Sequence, residues 1–462
     1  MTTLSSTHHT PPPANDIPML TGGLPLIGHL TEFLKDPVSM LIRGWHEQGE
    51  LFQFRLGTRE FVLFAGPEAH DCYFRAPRDH MSAKDVYQFT VPIFGRGVAY
   101  DVSPELMSEQ LGFLYPELRE SALRKFSDIM FEETMMFADA MGQQGELDLP
   151  QAMNQLTINI ASHCLIGPEV RNQLNAGFAE SYHDLQNGIN TLGFFFPHLP
   201  TPAHRSRDRA RKSISELFKR IVMERRRTGV RPDDFMQKVM ESRYKDGRAV
   251  TDEEITGILL TVLFAGQHTS AVLATWTCLE LLNSPSYIDK LRNEMQEVYA
   301  NESTSNIDTL KQQSLMEYTI RENERLHPPL ILLIRKVLKP VQFGDHSVPA
   351  GTLAMVSPAA AHRLPHLFNN PDRFYPERFA SPNREDKQHR YTLIGFGGGK
   401  HMCMGKHFAY LQLKTIWTVL LDRFDFFTDR DIPAPNYGSW VTGPKEPCRV
   451  RYQHRSKSGV FH

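Results

Sequence analysis

GFGGGKHMCMGKHF, from Gly395 to Phe408, is the stretch that decides the fold of this 462-residue chain. Three consecutive glycines and one cysteine, Cys403, stand just before a segment with apolar residues at helical spacing. A Walker-type phosphate loop needs the pattern G-x-x-x-x-G-K-[ST]. Each glycine–lysine pair of this stretch is followed by a histidine, His401 or His407, instead of serine or threonine. The stretch therefore predicts a glycine-rich turn built around a cysteine, and it excludes the phosphate loop.

Cys403 is the residue of this turn that needs a chemical explanation. Backbone N–H groups and the helix dipole at the start of a helix favour a thiolate. A lone thiolate ligand is typical of haem iron, where electron donation by sulfur promotes O–O cleavage. The alternative is a buried structural cysteine, which is the commoner role of an isolated cysteine. The turn by itself leaves both interpretations open.

Composition excludes several classes of protein. The formal net charge is −2, so no overall basic field indicates nucleic-acid binding. Five cysteines are scattered without a C-x-x-C pair, which argues against a zinc ribbon or a disulfide framework and fits a reducing cytosol. The first 17 residues are polar and proline-rich and lack the apolar core of a signal peptide or an anchor. We expect a soluble, cytoplasmic chain without a transmembrane anchor.

Hydrophobic periodicity predicts a mainly α chain with small β-sheets. The segments LFQFRL and EFVLF, separated by Gly57 and Thr58, predict a β-hairpin. From Pro67 to about Arg325 the pattern is mostly helical. No internal repeat and no flexible linker divides the sequence. We therefore predict a polar, proline-rich extension over residues 1–24 and a single large domain over residues 25–462.

A long helix with a polar interruption is predicted after Thr251. Thr251 and Glu254 form a capping box, and the apolar pattern continues to about Leu282, roughly 45 Å at 1.5 Å per residue. AGQHTS, residues 265–270, interrupts this pattern with a glycine and polar side chains. One interpretation is a packing glycine beside satisfied polar groups. The other is a local groove where a small ligand displaces helix hydrogen bonds.

A charged cluster is indicated further along the chain. Glu322 and Arg325 lie at i and i+3, on one face of a helix that Pro328 and Pro329 end. Arg378, in the segment YPERF, is a possible third member. Burial of such a cluster requires every member to be paired.

Taken together, these motifs resemble the cytochrome P-450 family. The haem-binding pattern F-x-x-G-x-[RH]-x-C-x-G is met by Phe396, Gly399, His401, Cys403 and Gly405. Three further signatures of the family match Glu322-x-x-Arg325, PERF from Pro376 to Phe379, and Ala265-Gly266-x-x-Thr269. The resemblance runs from about Pro25 to Arg455. It implies the fold of that family, a triangular helical prism with haem b held between a long central helix and the cysteine loop.

The resemblance also implies roles for single residues. Cys403 would be the axial ligand of the haem iron, and the glycines of its loop, Gly397, Gly399 and Gly405, would let the backbone approach the porphyrin beside Phe396. The expected partners of the haem propionates are His401, Arg335, Tyr87 and Tyr100. Glu322, Arg325 and Arg378 would be structural and would brace the loop. One departure from the family is that EQLGFLYPEL, residues 109–118, has no Arg, Lys or Trp where many members place another propionate partner.

Within the family the chain is similar to the sterol 14α-demethylases. AGQHTS, VYQFTVPIFGRGVAYD from Val86 to Asp101, and the ending from Trp440 to Arg455 carry this resemblance. It implies removal of the 14α-methyl group of a sterol by three successive oxidations with O2, with release of formate. His268 and Thr269 would relay protons together with Asp184. The implied substrate contacts are Phe89, Phe94, Val98, Ala265 and Trp440, of which Trp440 replaces a smaller expected residue.

The resemblance sets further expectations about partners. No FMN, FAD or iron–sulfur motif is present, so a ferredoxin or an NADPH-dependent reductase would supply electrons. We expect a monomer that contacts membranes only peripherally for substrate uptake. Phe89 would crowd the C4 substituents and favour a 4α-monomethyl sterol over lanosterol. The alternatives are a family member that oxidises another triterpenoid or a hopanoid, a haem sensor or lipid-binding scaffold without turnover, and a peroxide-using or isomerase-type member.

Overall fold

Helices dominate the computed structural model, which describes residues 16–173, 176–189, 193, 197–300, 305–455 and 460–461. The helices of the described residues are α1 (Leu30–Lys35), α2 (Pro37–Gln48), α3 (Pro67–Arg75), α4 (Val91–Phe94), α5 (Pro104–Leu114), α6 (Glu120–Met141), α7 (Leu149–Leu165), α8 (Pro168–Asn172), α9 (Ala176–Asn187), α10 (Pro202–Thr228), α11 (Phe235–Glu241), α12 (Asp252–Asn283), α13 (Ser286–Val298), α14 (Ile307–Gln312), α15 (Ser314–Leu326), α16 (Pro358–Ala361) and α17 (Lys406–Arg423). The prediction of a mainly α chain with small sheets is confirmed.

Three small sheets lie beside the helices in the described part of the chain. Their strands are β1 (Leu51–Leu56), β2 (Arg59–Phe64), β3 (Met81–Ser82), β4 (Gln144–Asp148), β5 (Leu333–Val337), β6 (Val341–Phe343), β7 (His346–Val348), β8 (Leu353–Val356), β9 (Phe424–Phe427) and β10 (Arg449–His454). The largest sheet has the order β1-β2-β8-β5-β3, and β1 and β2 form the predicted antiparallel hairpin. Strand β5 pairs antiparallel with β8, which sets Arg335 opposite Ala354 and holds that arginine at a defined position.

Helix α12 is the central element of the fold. Both hydrogen bonds of the predicted capping box between Thr251 and Glu254 are present. The helix is buried along most of its length and contacts α7, α15 and α17. By length and composition it could cross a membrane, but 67% of its most apolar window is buried inside the protein. The interior of a globular protein accounts for its apolar sequence.

The first described residues belong to the packed structure. Ile17 and Leu20 are buried, and the Leu20 N–H donates to the Gln53 carbonyl at 2.8 Å. The Gln53 N–H in turn donates to the Pro18 carbonyl at 2.9 Å, so this segment lies along strand β1. Part of the predicted extension over residues 1–24 therefore packs against the sheet. The boundary at residue 25 stays a prediction.

Gly257 allows helix α12 to approach the segment that follows α4. A Cβ atom built on Gly257 would lie 2.6 Å from the Phe94 carbonyl oxygen and 2.6 Å from a methyl carbon of Val98. Both distances are shorter than any carbon contact a folded protein tolerates without a shift. The helix and the 94–98 segment can be this close only because the side chain at position 257 is a hydrogen atom.

We predict that Gly257→Ala lowers the free energy of unfolding by about 1–3 kcal/mol, because overpacking outweighs the gain in helix propensity. Gly112→Ala is the matched control, since Gly112 is also helical and nothing lies within 4 Å of its built Cβ. In the control, the free energy of unfolding should rise by about 0.5–1 kcal/mol. Urea unfolding followed by far-ultraviolet circular dichroism measures both. Equal stability of the two variants would contradict the packing argument.

Candidate active site

A buried charged cluster lies behind the cysteine loop, residues 395–405. Glu322 on α15 accepts hydrogen bonds from the Nε atoms of Arg325 and Arg378, at 2.8 and 3.0 Å. All three side chains are fully buried. Arg378 also donates to Glu385 at 2.6 Å, which gives two positive and two negative charges. The structure brings together the three residues named from the sequence and adds Glu385; we call these four residues the arginine cluster.

His362 connects the arginine cluster to the cysteine loop. Its carbonyl oxygen accepts from Arg325 Nη1 at 2.8 Å, and its Nδ1 lies 3.2 Å from the Arg325 carbonyl. Its Nε2 accepts from the Ile394 N–H at 2.8 Å, at the entrance of the loop. Burial lowers the pKa of His362 well below its usual value, so the ring is neutral and can accept this bond. Neither His362 nor Glu385 was identified from the sequence, because their partners are distant along the chain.

The cysteine loop turns through two glycines in the left-handed region. Gly397 has φ 72° and Gly399 has φ 58°. A Cβ atom on Gly399 would lie 2.7 Å from the Phe74 carbonyl oxygen, so helix α3 could not pack where it does. The Cys403 N–H donates to the Phe396 carbonyl at 2.8 Å and closes the loop. Glycine is needed here both for backbone conformation and for close packing.

Cys403 keeps an exposed surface on the loop, and it stands three residues before Lys406, the first residue of α17. Burial by the surrounding protein raises the pKa of this thiol, although a hydrogen bond from the Gly405 amide acts in the opposite direction. The sequence argument from helix-start amides alone favoured a thiolate, but desolvation is the larger effect. A coordinated metal cation deprotonates a thiol outright, so a thiolate at Cys403 fits a site that contains iron.

A positively charged corner adjoins the loop. Arg335 is 6% exposed, its Nη1 donates to the Tyr73 carbonyl at 3.0 Å, and it pairs with no carboxylate in the described part of the chain. Burial, together with the charges of Arg335, Arg78 and Lys400, lowers the pKa of His401 to about 4. A buried cation without an anionic partner is energetically costly, so this corner is suited to an anionic ligand.

Tyr87 and Tyr100 lie at the same corner. Their rings stack with centroids 4.7 Å apart, and burial raises the pKa of both phenols, so both stay protonated. The charge of Arg335 acts on both hydroxyls. The four residues predicted to hold propionates therefore converge, and a group with two carboxylates, such as haem, fits this corner.

Helix α12 is open at the AGQHTS segment. Ala265 is exposed within an otherwise buried stretch, and the Thr269 hydroxyl donates to the Ala265 carbonyl at 3.1 Å. A Cβ atom on Gly266 would lie 2.7 Å from Leu165 Cδ1, so Gly266 is the packing glycine of the first interpretation. The helix remains regular through the segment.

His268 sits beside this opening with an unsatisfied nitrogen. Burial, with a smaller contribution from the nearby charge of His183, lowers its pKa to about 4. Its Nδ1 is buried and has no hydrogen-bond partner among the described residues. Asp184, the predicted carboxylate of the relay, forms no hydrogen bond or ion pair with His268 in the described structure.

An aromatic wall is formed by the predicted substrate-contact residues. Phe89 is 3% exposed and packs between Trp440 and Tyr87, with ring centroids 4.8 and 5.9 Å away. Phe94 packs edge-on against Phe264 of α12 at 5.7 Å. Val98 lies against Gly257, a residue of α12 that stands about two turns before Ala265. Phe94 and Val98 thus contact α12, whereas Phe89 contacts Trp440 and Tyr87.

Comparison with known proteins agrees with this geometry. The family model described as Cytochrome P450 matches residues 18–450. The chain belongs to the cytochrome P450 family.

The relatives of this cytochrome P450 include plant sterol demethylases. It is 39% identical to the "Sterol 14-demethylase" of Arabidopsis thaliana, over 96% of this chain and 92% of that protein. It is 38% identical to the "Obtusifoliol 14-alpha demethylase" of Triticum aestivum, over 94% of this chain and 97% of the other. A solved structure titled "Retinoic acid bound cyanobacterial CYP120A1" matches with a TM-score of 0.84 and 22% identity, over 96% of this chain and 100% of the other.

Membership of the family establishes the coarse chemistry of this P450. It is a haem–thiolate monooxygenase similar to the sterol 14-demethylases, and it uses O2 and an external electron donor. Among the described residues no group of three or more His, Cys, Asp or Glu could hold a metal ion. A single thiolate ligand, with the porphyrin supplying the other ligands, agrees with that finding.

We predict that Arg325→Ala gives little haem-loaded protein. Loss of one member of a buried charged cluster leaves the others unpaired and costs about 3–5 kcal/mol. Arg231→Ala is the control, because its side chain is 76% exposed and its ion pair with Glu241 is long at 3.6 Å. Haem content per purified protein is the measurement. A stable, haem-replete Arg325→Ala protein with only slower turnover would show that the cluster acts in the chemistry instead.

Proposed function

We propose that this P450 binds haem b between α12 and the cysteine loop and removes the 14α-methyl group of a sterol. Three successive oxidations and release of formate would complete the reaction. The observation that carries this proposal is a set of aromatic side chains: Phe89 packs on Trp440, and Phe94 packs on Phe264 of α12, the residue just before the exposed Ala265. A flat, apolar, multi-ring substrate fits such a wall, and the near-full-length similarity to sterol demethylases supports it.

The residues of the chain have separate tasks in this proposal. Haem with a thiolate ligand supplies the reduction and cleavage of O2. Cys403 is the ligand, and Arg335, His401, Tyr87 and Tyr100 hold the propionates. Because its Oγ hydrogen bonds at Ala265, the Thr269 hydroxyl is anchored on the open face of α12, where it can hold a proton for transfer. The neutral ring of His268 next to it can accept and release protons.

The remaining partners follow from the same proposal. Electrons come from a ferredoxin or an NADPH-dependent reductase, and the protein works as a cytoplasmic monomer. A second substrate class is favoured by one observation: the Trp440 indole packs at 5.5 Å from Tyr87 and narrows the space beside Phe89. Another triterpenoid or a hopanoid of different ring shape would then be preferred, and the substrate-induced shift of the Soret band distinguishes it from a sterol.

Cys403→Ala should abolish the red-shifted Soret band that the reduced carbon monoxide complex of a thiolate-ligated haem shows. The sulfur atom is the sole source of that electronic signature. Cys72→Ala is the control, since that thiol instead hydrogen-bonds to the Gln342 carbonyl at 3.3 Å in another part of the molecule. Persistence of the band in Cys403→Ala would show that the ligand assignment is wrong.

The unmodified enzyme should demethylate obtusifoliol, a 4α-monomethyl sterol, in preference to lanosterol, which has two methyl groups at C4. A methyl-sized difference in an apolar pocket is worth about 1–3 kcal/mol, or about 10–200-fold in selectivity. Phe89→Leu removes part of the buried ring and should shift consumption towards lanosterol. Phe427→Leu is the control, because Phe427 is 44% exposed on β9.

Competition of the two sterols in one vessel, with products identified by mass spectrometry, measures the preference. Equal or lanosterol-favoured consumption by the unmodified enzyme contradicts the role of Phe89. Absence of a 14-demethylated product from either sterol contradicts the proposed function itself.

A further inference from the structure

Ala99 has an unusual backbone conformation. Its φ is 49°, and it is one of four non-glycine residues in the described part of the chain whose φ is positive. A Cβ atom makes this left-handed region unfavourable, so such a residue keeps the conformation only where its surroundings hold it. Ala99 stands between Val98, which lies against α12, and Tyr100, whose ring stacks on Tyr87. The backbone rotation of one strained residue therefore sets the directions of both neighbours relative to each other.

The side chain of Gln110 on α5 holds this strained segment. Its Oε1 accepts from the Ala99 N–H at 3.3 Å, and its Nε2 donates to the Gly97 carbonyl at 2.8 Å. The amide fits only one way round, because the reversed amide would set its NH2 group against the Ala99 N–H and its oxygen against the Gly97 carbonyl. Gln110 is 6% exposed, so loss of either bond leaves a buried polar group unpaired. One amide thus bridges the backbone on both sides of Val98.

Gln110 is itself anchored to the start of α12. Its Nε2 also donates to the Tyr244 hydroxyl at 3.0 Å, so both hydrogens of the amide group are used. The Tyr244 hydroxyl donates to Glu254 Oε1 at 3.1 Å, and Glu254 closes the capping box of α12 with Thr251. Arg248 pairs with the same carboxylate at 2.8 Å. The position of the Gln110 amide therefore follows from the start of the central helix.

The segment that Gln110 holds carries one residue of the positively charged corner. The carbonyl of Tyr100 accepts from Gln88 Nε2 at 3.1 Å, and the Tyr100 ring lies 4.7 Å from the Tyr87 ring. Helix α5 contains no Arg, Lys or Trp and supplies no cation to this corner. Its contribution to the corner is therefore the hold of Gln110 on the backbone beside Tyr100.

We propose that Gln110 is a positioning residue for the cofactor: by holding Ala99 in its strained conformation, it keeps the Tyr100 hydroxyl where a haem propionate can accept a hydrogen bond from it. This inference rests on the proposed function, which assigns that contact to Tyr100. Without the bridge, Ala99 returns to a negative φ, and the change in backbone rotation turns Tyr100 away from the corner. Gln110 touches neither cofactor nor substrate and acts through Tyr100.

Haem transfer from the purified holoenzyme to excess apomyoglobin tests this role without any substrate. Gln110→Met keeps the length of the side chain and removes its hydrogen bonds. We expect haem loss about tenfold faster, an effect of the size of one buried hydrogen bond. Gln313→Met is the matched control, because Gln313 is 0% exposed and donates to the Tyr299 hydroxyl at 2.8 Å, but between α14 and α15. It should retain haem like the unmodified enzyme, even where it lowers the free energy of unfolding as much.

Two double-mutant cycles test whether Gln110 acts through its neighbours. Ala99→Gly removes the Cβ atom that disfavours the left-handed region, so it should slow haem loss more in the Gln110→Met protein than in the unmodified enzyme. Tyr100→Phe should lose haem faster, and its combination with Gln110→Met should lose haem no faster than the faster single variant. Hydrogen exchange of the peptide that contains Ala99 should also accelerate in Gln110→Met. A general loss of stability would produce neither coupling.

Two results would overturn the proposal. In one, Gln110→Met retains haem like the unmodified enzyme while Tyr100→Phe loses it faster, so Gln110 does not position Tyr100. In the other, the effects of Gln110→Met and Tyr100→Phe on the rate of haem loss multiply, and Gln110 then acts elsewhere. Unchanged haem loss in Tyr100→Phe contradicts the propionate contact itself, and with it the cofactor role of Gln110. Failure to demethylate a sterol, with the effects on haem intact, contradicts only the proposed function.

Discussion

The carboxylate of Glu322, shared by two fully buried arginines, is the interaction on which the rest of the structure depends. It joins α15 to the short helix Pro376–Phe379, and Glu385 balances the second arginine. Coulombic attraction in such a site offsets the free-energy cost of desolvating the ions only if every hydrogen-bond donor has an acceptor. The backbone carbonyls of His362, Arg373 and Asn369 accept the remaining guanidinium bonds, which satisfies that condition.

The position of the cysteine loop follows from this cluster. Arg325 contacts His362 at both its carbonyl and its ring, and His362 holds the Ile394 amide where the loop begins. The loop cannot move relative to α15 without exposing one of these buried bonds. On its other side the loop packs on Phe74, at a distance that only glycine at position 399 permits. These contacts fix the backbone of the cysteine loop relative to α15 and α3.

Local patterns in the sequence predicted the parts of the structure that depend on neighbouring residues. The capping box at Thr251, the hairpin around Gly57 and the helix after Cys403 are of this kind. Glu385 and His362 could not be found in this way, since they meet their partners only after folding. The side of α9 that faces α12 was likewise set by Gln186 and Gln267, which are 81 residues apart. Burial, another property of the folded chain, reversed the expected shift of the Cys403 pKa.

The distribution of charge around the loop connects cofactor binding to stability. Behind the loop the arginine cluster is neutral overall, whereas in front of it Arg335, Arg78 and Lys400 act together on His401, and no carboxylate among the described residues opposes them. Repulsion among these groups destabilises the folded chain, and a dianionic ligand removes that repulsion. A ligand that binds only the folded state stabilises it in proportion to the logarithm of its concentration over its dissociation constant. Haem is therefore expected to contribute to the stability of this corner as well as to the reaction.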